Sequence, residues 1–269
     1  MGQKFGAVAC IVFLGLAGCL SPPQESSADF RIATTTSLRD SGLLDVLIEE
    51  FTSLHDVEVE YITVGTGAAL NLGVNRDVDA LIVHAPDQEL AFLDQGHGSN
   101  RTQIAWNAFV LLSPVELSED LDDAFLSIVE SEQCFISRGD DSGTHLKEQE
   151  IWRRLNTTAN LPVFLDSNGY HPSGDWYFSI GQGMGAAINM AHEKNCITFS
   201  DRGTALEFQN KISLQRFEYD DVMMHNPYSF ISVTGGNEAM SALFLSYLLN
   251  EGKATIASYT INGEPAYFV

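Results

Sequence analysis

The chain has 269 residues, 36 acidic and 14 basic, for a formal charge of −22. Such a surface repels a phosphate backbone and so argues against nucleic acid as a partner. Strand-like and helix-like segments alternate throughout, which points to an α/β architecture, and the 240 residues after position 29 suffice for one large domain or two ordinary lobes.

Residues 1–18 read as an export signal: Lys4, an apolar run over 5–16, then Ala17 and Gly18 before Cys19. The run is too short to serve as a permanent membrane span. Leu16-Ala17-Gly18-Cys19 resembles the lipoprotein signal in which the cysteine is lipidated and becomes the mature N-terminus. Residues 19–29, with Pro22, Pro23, Ser26 and Ser27, follow as a flexible tether.

Residues 30–33 form a short strand that runs into Thr34, Thr35, Thr36 and Ser37. Asp40 and Ser41 then cap a helix whose apolar residues Leu43, Leu44, Leu47, Ile48, Phe51 and Leu54 share one face. Residues 57–64 alternate as a strand does and end in Gly65, Thr66 and Gly67, which open another helix. Residues 79–84 make a strand buried on both faces, followed by a short helix over 87–94 and a strand over 105–113 that Pro114 stops. Residues 116–132 contain seven acidic residues and no basic one, a solvated face at the start of a second lobe.

Cys134, Phe135 and Ile136 then lead into Ser137, Arg138, Gly139, Asp140, Asp141, Ser142, Gly143 and Thr144, at the head of a helix over 144–155 with Ile151, Trp152 and Leu155 buried. The glycine-dense run 181–185 has no strand before it in this reading and lacks dinucleotide-binding spacing, so a turn or close helix packing accounts for it. Residues 197–200 form a strand, and Asp201, Arg202, Gly203 and Thr204 open a short helix. Residues 222–233 cross His225, Asn226, Pro227 and Tyr228 and end in an apolar strand over 230–233. A long helix follows with Met240, Leu243, Phe244, Tyr247 and Leu248 inward, then a short helix near Ile256 and an apolar tail.

Cys134 and Cys196 each precede a strand-like run that ends in a polar turn. Neighbouring parallel strands would bring them into range, and outside the cytoplasm such a pair is open to oxidation, so a disulfide and two free thiols both stand. No cluster of further ligands lies nearby, so neither a protein-ligated metal nor a cofactor is expected.

The turns 34–37, 65–67 and 137–144 share one chemistry. Each follows a strand and precedes a helix, where open α/β sheets bind ligands, and together they offer backbone N–H groups, hydroxyls and one guanidinium. A small tetrahedral dianion suits them, since hydrogen bonds to a charged group contribute roughly 1.5–3 kcal/mol each. Asp140, two residues from Arg138, is placed to orient the guanidinium rather than touch an anion it would repel, and Asp141 to face solvent. Helix capping explains any one of these turns taken alone. His84, Asp79 and Ser142 can be nominated as a nucleophile system, with His145 and His171 as bases. None sits in a nucleophile elbow and no helical His-x-x-x-His pair occurs, so the chain reads as a binding protein rather than an enzyme.

Thr34-Thr35-Thr36-Ser37 with Asp40-Ser41-Gly42-Leu43-Leu44, Val64-Gly65-Thr66-Gly67, Val83-His84-Ala85-Pro86 and Ser137 to Thr144 resemble, in this order, the tungstate-binding lipoproteins of ABC transporters. The run 181–185, Asp201-Arg202-Gly203-Thr204 and Asn226-Pro227-Tyr228 continue the likeness over essentially the whole mature chain. The segment from Arg138 to Thr144 is also similar to the anion turn of phosphate-binding proteins. Phe199 and Ser200 replace a more usual Leu-Thr, and Cys134 and Cys196 are not part of the family pattern.

The resemblance implies a two-lobed type II periplasmic-binding-protein fold with the ligand in a cleft between the lobes. Residues 30–113 and 222–269 are expected in lobe 1, and 114–221 in lobe 2. Thr35, Thr36, Ser37, Thr66 and Gly67 are expected to contact the oxyanion from the first lobe, and Ser137, Arg138, Ser142, Gly143 and Thr144 from the second. The expected protein is a monomer that captures tungstate, or molybdate, for an ABC permease. Lipidated Cys19 would anchor it to the outer face of the cytoplasmic membrane. A donor-only site should reject phosphate, which carries a proton that wants an acceptor. A phosphate- or other oxyanion-binding protein is the alternative, and a hydrolase on a similar scaffold a further one.

Overall fold

The computed structural model describes residue 2, residues 28–166 and residues 169–269; the rest of the expected signal, Cys19 and nearly all of the tether lie outside the described residues. In chain order the first elements are β1 (Phe30–Thr35), α1 (Thr36–Asp40), α2 (Leu43–His55), β2 (Val59–Val64), α3 (Thr66–Asn75), β3 (Ala80–Val83) and α4 (Pro86–Asp94). Then come β4 (Gly98–Ser113), α5 (Leu121–Glu130), β5 (Phe135–Ser137), α6 (Gly143–Thr158), β6 (Val163–Asp166), β7 (Gly169–Pro172), β8 (Tyr177–Ser179) and α7 (Met184–Lys194). The chain continues with β9 (Ile197–Asp201), α8 (Arg202–Phe208), β10 (Gln215–Phe217), β11 (His225–Val233), α9 (Glu238–Leu249), α10 (Glu251–Ser258), β12 (Thr260–Ile261) and β13 (Glu264–Pro265).

One mixed sheet runs β2-β1-β3-β11-β4-β9-β5-β8, with β10 paired to β4. Its two ends are parallel, β2-β1-β3 and β9-β5-β8, and the antiparallel strands β11 and β4 join them. Each end has its own pair of cores, because alternate side chains of a buried strand serve opposite faces. Phe30, Ile32, Ala80 and Ile82 pack under α2 and α9, while Ala33, Leu81 and Val83 face Phe92 and Ile231. At the other end Phe109, Leu111, Phe135 and Phe199 meet Trp152, and Val110, Leu112 and Ile136 meet α7. These are the two α/β lobes, with the passing strands β4 and β11 between them. α8 follows a strand of the second end, yet its Leu206 is buried in the first core beside Leu38 and Tyr267. Among the described residues no helix is long and apolar enough to cross a membrane.

Several expectations need correction. The N-cap of α2 is Gly42 (φ 80°), not Asp40 or Ser41, because α1 intervenes. Ser41 Oγ accepts from Leu43 N only at 3.5 Å; it donates to Leu38 O at 2.9 Å and accepts from Tyr267 Oη at 2.8 Å. A Cβ on Gly42 would stand 2.7 Å from Tyr259 Oη, a second reason for glycine there. A strand, β8, does precede the glycine-rich run. β4 begins at Gly98 rather than 105, because β11 pairs with it along that extra length. Leu243 is exposed: the buried face of α9 follows Ser241, Phe244 and Leu248, and Leu243 lies off it.

β5 and β9 are parallel neighbours with Phe135 opposite Ile197, and the residues just before them, Cys134 and Cys196, are disulfide-bonded with Cα atoms 4.6 Å apart. Closing a loop across 62 residues of sequence stabilises mainly by restricting the unfolded chain. Cutting it is expected to lower unfolding free energy by about 2–4 kcal/mol in denaturant titrations with and without reductant. An unchanged midpoint would mean that the bond adds nothing to stability.

Candidate functional site

The second lobe's contribution begins where β5 ends. Ser137 is fully buried and Arg138 is 6% exposed, so the turn must neutralise a guanidinium that has left water. Asp140 does this: its Oδ2 accepts from Arg138 Nε at 3.1 Å and Nη2 at 2.5 Å. Its Oδ1 accepts from Ser142 Oγ at 2.7 Å and Ser142 N at 3.3 Å. Ser142 Oγ in turn caps α6 by accepting from His145 N. The turn needs two left-handed residues, Gly139 (φ 61°) and Asp141 (φ 54°). Gly139 allows no Cβ, which would overlap Ser179 Oγ. The glycine-rich run braces it, with Ile180 N donating to Ser137 O and Gln182 N to Arg138 O.

The first lobe presents the ends of β1, β2 and β3. Thr35 Oγ1 lies 3.2 Å from Ser37 Oγ, which is 3.4 Å from His84 Nε2 and 3.3 Å from Tyr228 Oη. Thr34 turns away and donates to Ile82 O. Thr66 is the first residue of α3, as Gly143 is of α6, and first-turn N–H groups have no intrahelical acceptor. They point partial positive charge outward.

These pieces line a small, tight cavity with residues of both lobes. Of the expected ligand residues the structure brings Thr35, Thr36, Ser37, Thr66, Arg138, Ser142, Gly143 and Thr144 to its wall. Gly67 and Ser137 do not line it. Gly65, from the turn 65–67, lines it as well, and so do Val64 and His84, which the sequence pattern does not place there. His84 follows β3 as Thr36 follows β1, so its position at a strand end is the signal that marks it in the sequence. The lobes touch at this point, since a Cβ on Gly143 would stand 2.8 Å from His84 Cε1. Thr66 Oγ1 and Thr144 Oγ1, both buried, have no hydrogen-bond partner among the described residues. Among the described residues Arg138 is the one formal cation on the wall.

The nominated nucleophile system does not assemble. His84 Nδ1 faces Asn226 Oδ1 at 2.9 Å, while Asp79 accepts from the backbone N–H groups of Arg31 and Asn237. Ser142 is committed to Asp140, and His145 sits beneath the turn, accepting from Asp141 N. Burial and the nearby Arg138 charge push the His84 imidazole down to about 4, so it is neutral at physiological pH. Burial raises Asp201, which caps α8 through Thr204 and feels the Arg138 charge. Among the described residues no cluster of His, Cys, Asp and Glu could hold a metal ion.

Two α/β lobes that close on a cavity of hydroxyls, helix N-termini and one arginine define a solute-binding protein of the anion-holding kind. The chain belongs to the PBP superfamily, whose domain model matches residues 21–251, and to the TupA family within it. It is 36% identical to the tungstate-binding protein TupA of Peptoclostridium acidaminophilum, over 93% of this chain and 91% of that one. The solved tungstate-binding protein TupA of Desulfovibrio alaskensis superposes with a TM-score of 0.74 at 33% identity, covering 88% of this chain and 97% of its own. The tungstate ABC transporter structure from Geobacter sulfurreducens gives 0.70 at 34% identity, covering 86% and 98%.

Beneath Ser137 lies a buried carboxyl, Glu148, whose Oε1 accepts from Trp152 Nε1 at 3.0 Å and Tyr177 Oη at 2.6 Å. Burial raises it from 4.5 to about 7 despite these donors and the nearby His171. The folded protein therefore holds this proton to higher pH than the unfolded chain does. The penalty for ionising it is absent below about pH 4.5, grows as pH rises, and is complete above about 7. Glu148→Gln keeps an acceptor for Trp152 and Tyr177 without a titrating proton. It is expected to gain stability over the native chain as pH rises to about 8, by roughly 1–3 kcal/mol. Chemical denaturation across that range checks this, and a pH-independent difference would show that Glu148 does not titrate there.

Proposed function

We propose that this chain captures tungstate, or molybdate of nearly equal size and charge, outside the cytoplasmic membrane and delivers it to an ABC permease. The observation that carries the reading is the cavity itself: hydroxyls, first-turn N–H groups and one buried guanidinium from both lobes, with two buried hydroxyls that no group among the described residues satisfies. Relatives and solved structures that carry tungstate in their names support it. The role is capture rather than catalysis. Lobe 1 comprises residues 30–113 with 222–269 and lobe 2 residues 114–221, and α8 bridges them. Thr35, Thr36, Ser37 and Thr66 hold the anion from one side, Arg138, Gly143 and Thr144 from the other. Asp140 aims the guanidinium, and Ser142, with its N–H and O–H both given to Asp140, shapes the turn. Export as a monomer anchored through lipidated Cys19 completes the reading, with the oxyanion and the permease as partners.

A second reading, a protein for a proton-bearing oxyanion such as hydrogen phosphate, is favoured by one observation. His84 Nε2 is a potential acceptor in a site otherwise built of donors.

Calorimetric titration with tungstate, molybdate, sulfate and phosphate separates the two. Heat with tungstate and little with phosphate is expected; the reverse would sink the first reading. Arg138→Met should weaken tungstate binding by about 2–5 kcal/mol, roughly 30-fold or more, because it also leaves Asp140 unpaired. Undiminished affinity would remove Arg138 from the site. Gly143→Ala places a methyl against His84, and about tenfold weaker binding in the same titration is the expected cost of holding the lobes apart. Affinity equal to the native chain would mean that this contact is not part of closure.

A further inference from the structure

Resting on the capture reading, a chain of hydrogen bonds behind Ser37 carries a consequence for selectivity. Asn107 and Asn226 are fully buried where β4 and β11 pass side by side. Asn226 Nδ2 lies 2.7 Å from Asn107 Oδ1 and 3.3 Å from Tyr228 Oη, and Asn226 Oδ1 lies 2.9 Å from His84 Nδ1. His84 Nε2 then meets Ser37 Oγ, which lines the cavity. The imidazole packs against Tyr228, with ring centroids 4.8 Å apart and the rings tilted by 32°.

A neutral imidazole carries one N–H and one lone pair, and an amide presents N–H on one side and C=O on the other. The chain therefore has two self-consistent directions. In the first, Nδ1–H donates to Asn226 Oδ1 and Nε2 takes the Ser37 proton, so Ser37 turns a lone pair to the cavity. Asn107 Nδ2 is then left without a partner among the described residues. In the second, both amides turn over within the same heavy-atom positions. Asn107 then donates to Asn226, Asn226 donates to Nδ1, and Nε2–H donates to Ser37, whose own proton is free for a ligand. The group left over is now the Asn107 carbonyl, which is less costly to bury unpaired than an N–H.

We propose that Asn107, Asn226 and His84 form a polarity selector for Ser37, and that a proton-free oxyanion selects the direction with the imidazole proton on Nε2. Tungstate accepts a hydrogen bond from Ser37 in that state and is repelled by the lone pair in the other. The exchange carries no net charge: one proton leaves Nδ1 for water and another reaches Nε2 from water. A hydrogen phosphate, with a proton to give, suits the opposite direction. His84 is thus a positioning residue for selectivity, not an anion ligand in its own right.

Long-range proton–nitrogen NMR of the ¹⁵N-labelled protein reads the tautomer directly, with the His84 signals identified by their loss in His84→Gln. With tungstate bound at neutral pH, Nε2 is expected to carry the proton and Nδ1 none. In titrations His84→Gln, whose amide can present either polarity, should keep tungstate affinity within about threefold, while His84→Leu should lose roughly tenfold or more. A purely structural role would move both variants alike. A proton on Nδ1 with tungstate bound, or His84→Leu binding as the native chain does, overturns the proposal while leaving tungstate capture intact. Failure of the native chain to bind tungstate defeats the capture reading and this inference together. If His84→Leu does not fold, the tautomer in the native protein still decides.

Discussion

The arrangement depends on one constraint: a guanidinium taken out of water must be neutralised without being used up. Arg138 is almost wholly buried at the end of β5, and an unpaired cation there would be costly. Asp140 engages Nε and Nη2 through one oxygen and ties its other oxygen to Ser142. One carboxylate therefore orients the cation, shapes the turn and sets the residue that caps α6. The local sequence follows from that geometry: Gly139 for a positive φ against Ser179, a short exposed Asp141 at the second left-handed position, then Ser142 to begin the helix. The price is a carboxylate close to an anion site, which is why its lone pairs must be committed elsewhere.

The first lobe meets the same demand without a charge. Its donors are hydroxyls and helix N-termini on the ends of parallel strands, and their orientation comes from behind, where β4 and β11 pass from one lobe to the other. Asn107, Asn226 and Tyr228 sit on those strands, so the groups that organise Ser37 belong to the segment any relative movement of the lobes must involve. Another tie between the lobes runs through α8. Arg202 donates to Pro265 O at 3.0 Å and pairs with Glu218 and Glu264, and Arg216 joins the same two carboxylates. Contacts of this kind hold the two lobes together on the side of α8 and the C-terminal hairpin, while the cavity lies where His84 meets Gly143.

Much of the frame was legible in the sequence because its elements obey simple periodicities. The face of α2, the doubly buried β3 and the strand–turn–helix at Ser137 to Thr144 are local patterns that tertiary packing did not override. The Cys134–Cys196 pair also has a local signature, since each cysteine directly precedes one of two parallel neighbouring strands. What was not legible depends on registers between distant segments. Nothing in the neighbourhood of Asn107 indicates that it stands opposite Asn226 across 119 residues, or that their amides reach His84. The three residues of β8 are too few to show a period, and their place at the sheet edge comes only from pairing with β5. Leu243 was misjudged because α9 is apolar on more than one face, so pattern alone cannot say which face turns inward. Ser142 lines the cavity, but its commitment to Asp140 is a matter of rotamer and not of composition.

A chain with formal charge −22 that holds an anion looks contradictory until distances are considered. Exposed charges farther than about 8–10 Å are largely screened at physiological salt. Groups at the cavity wall act at contact distance and across a poorer dielectric, where a single pair of charges 4 Å apart is worth about 4 kcal/mol at an effective ε near 20. Carboxylates on the distant surface therefore add little, while Arg138, the N-termini of α3 and α6 and the hydroxyls between them dominate. The carboxylates that could matter are the near ones, and both are occupied: Asp140 by Arg138 and Ser142, Asp201 by Thr204. Selectivity in such a site cannot rest on net charge, which sulfate shares with tungstate and molybdate. It has to rest on the size of the closed cavity and on which of its polar groups face inward with a proton, and in the first lobe His84 is the side chain through which that second property can be set.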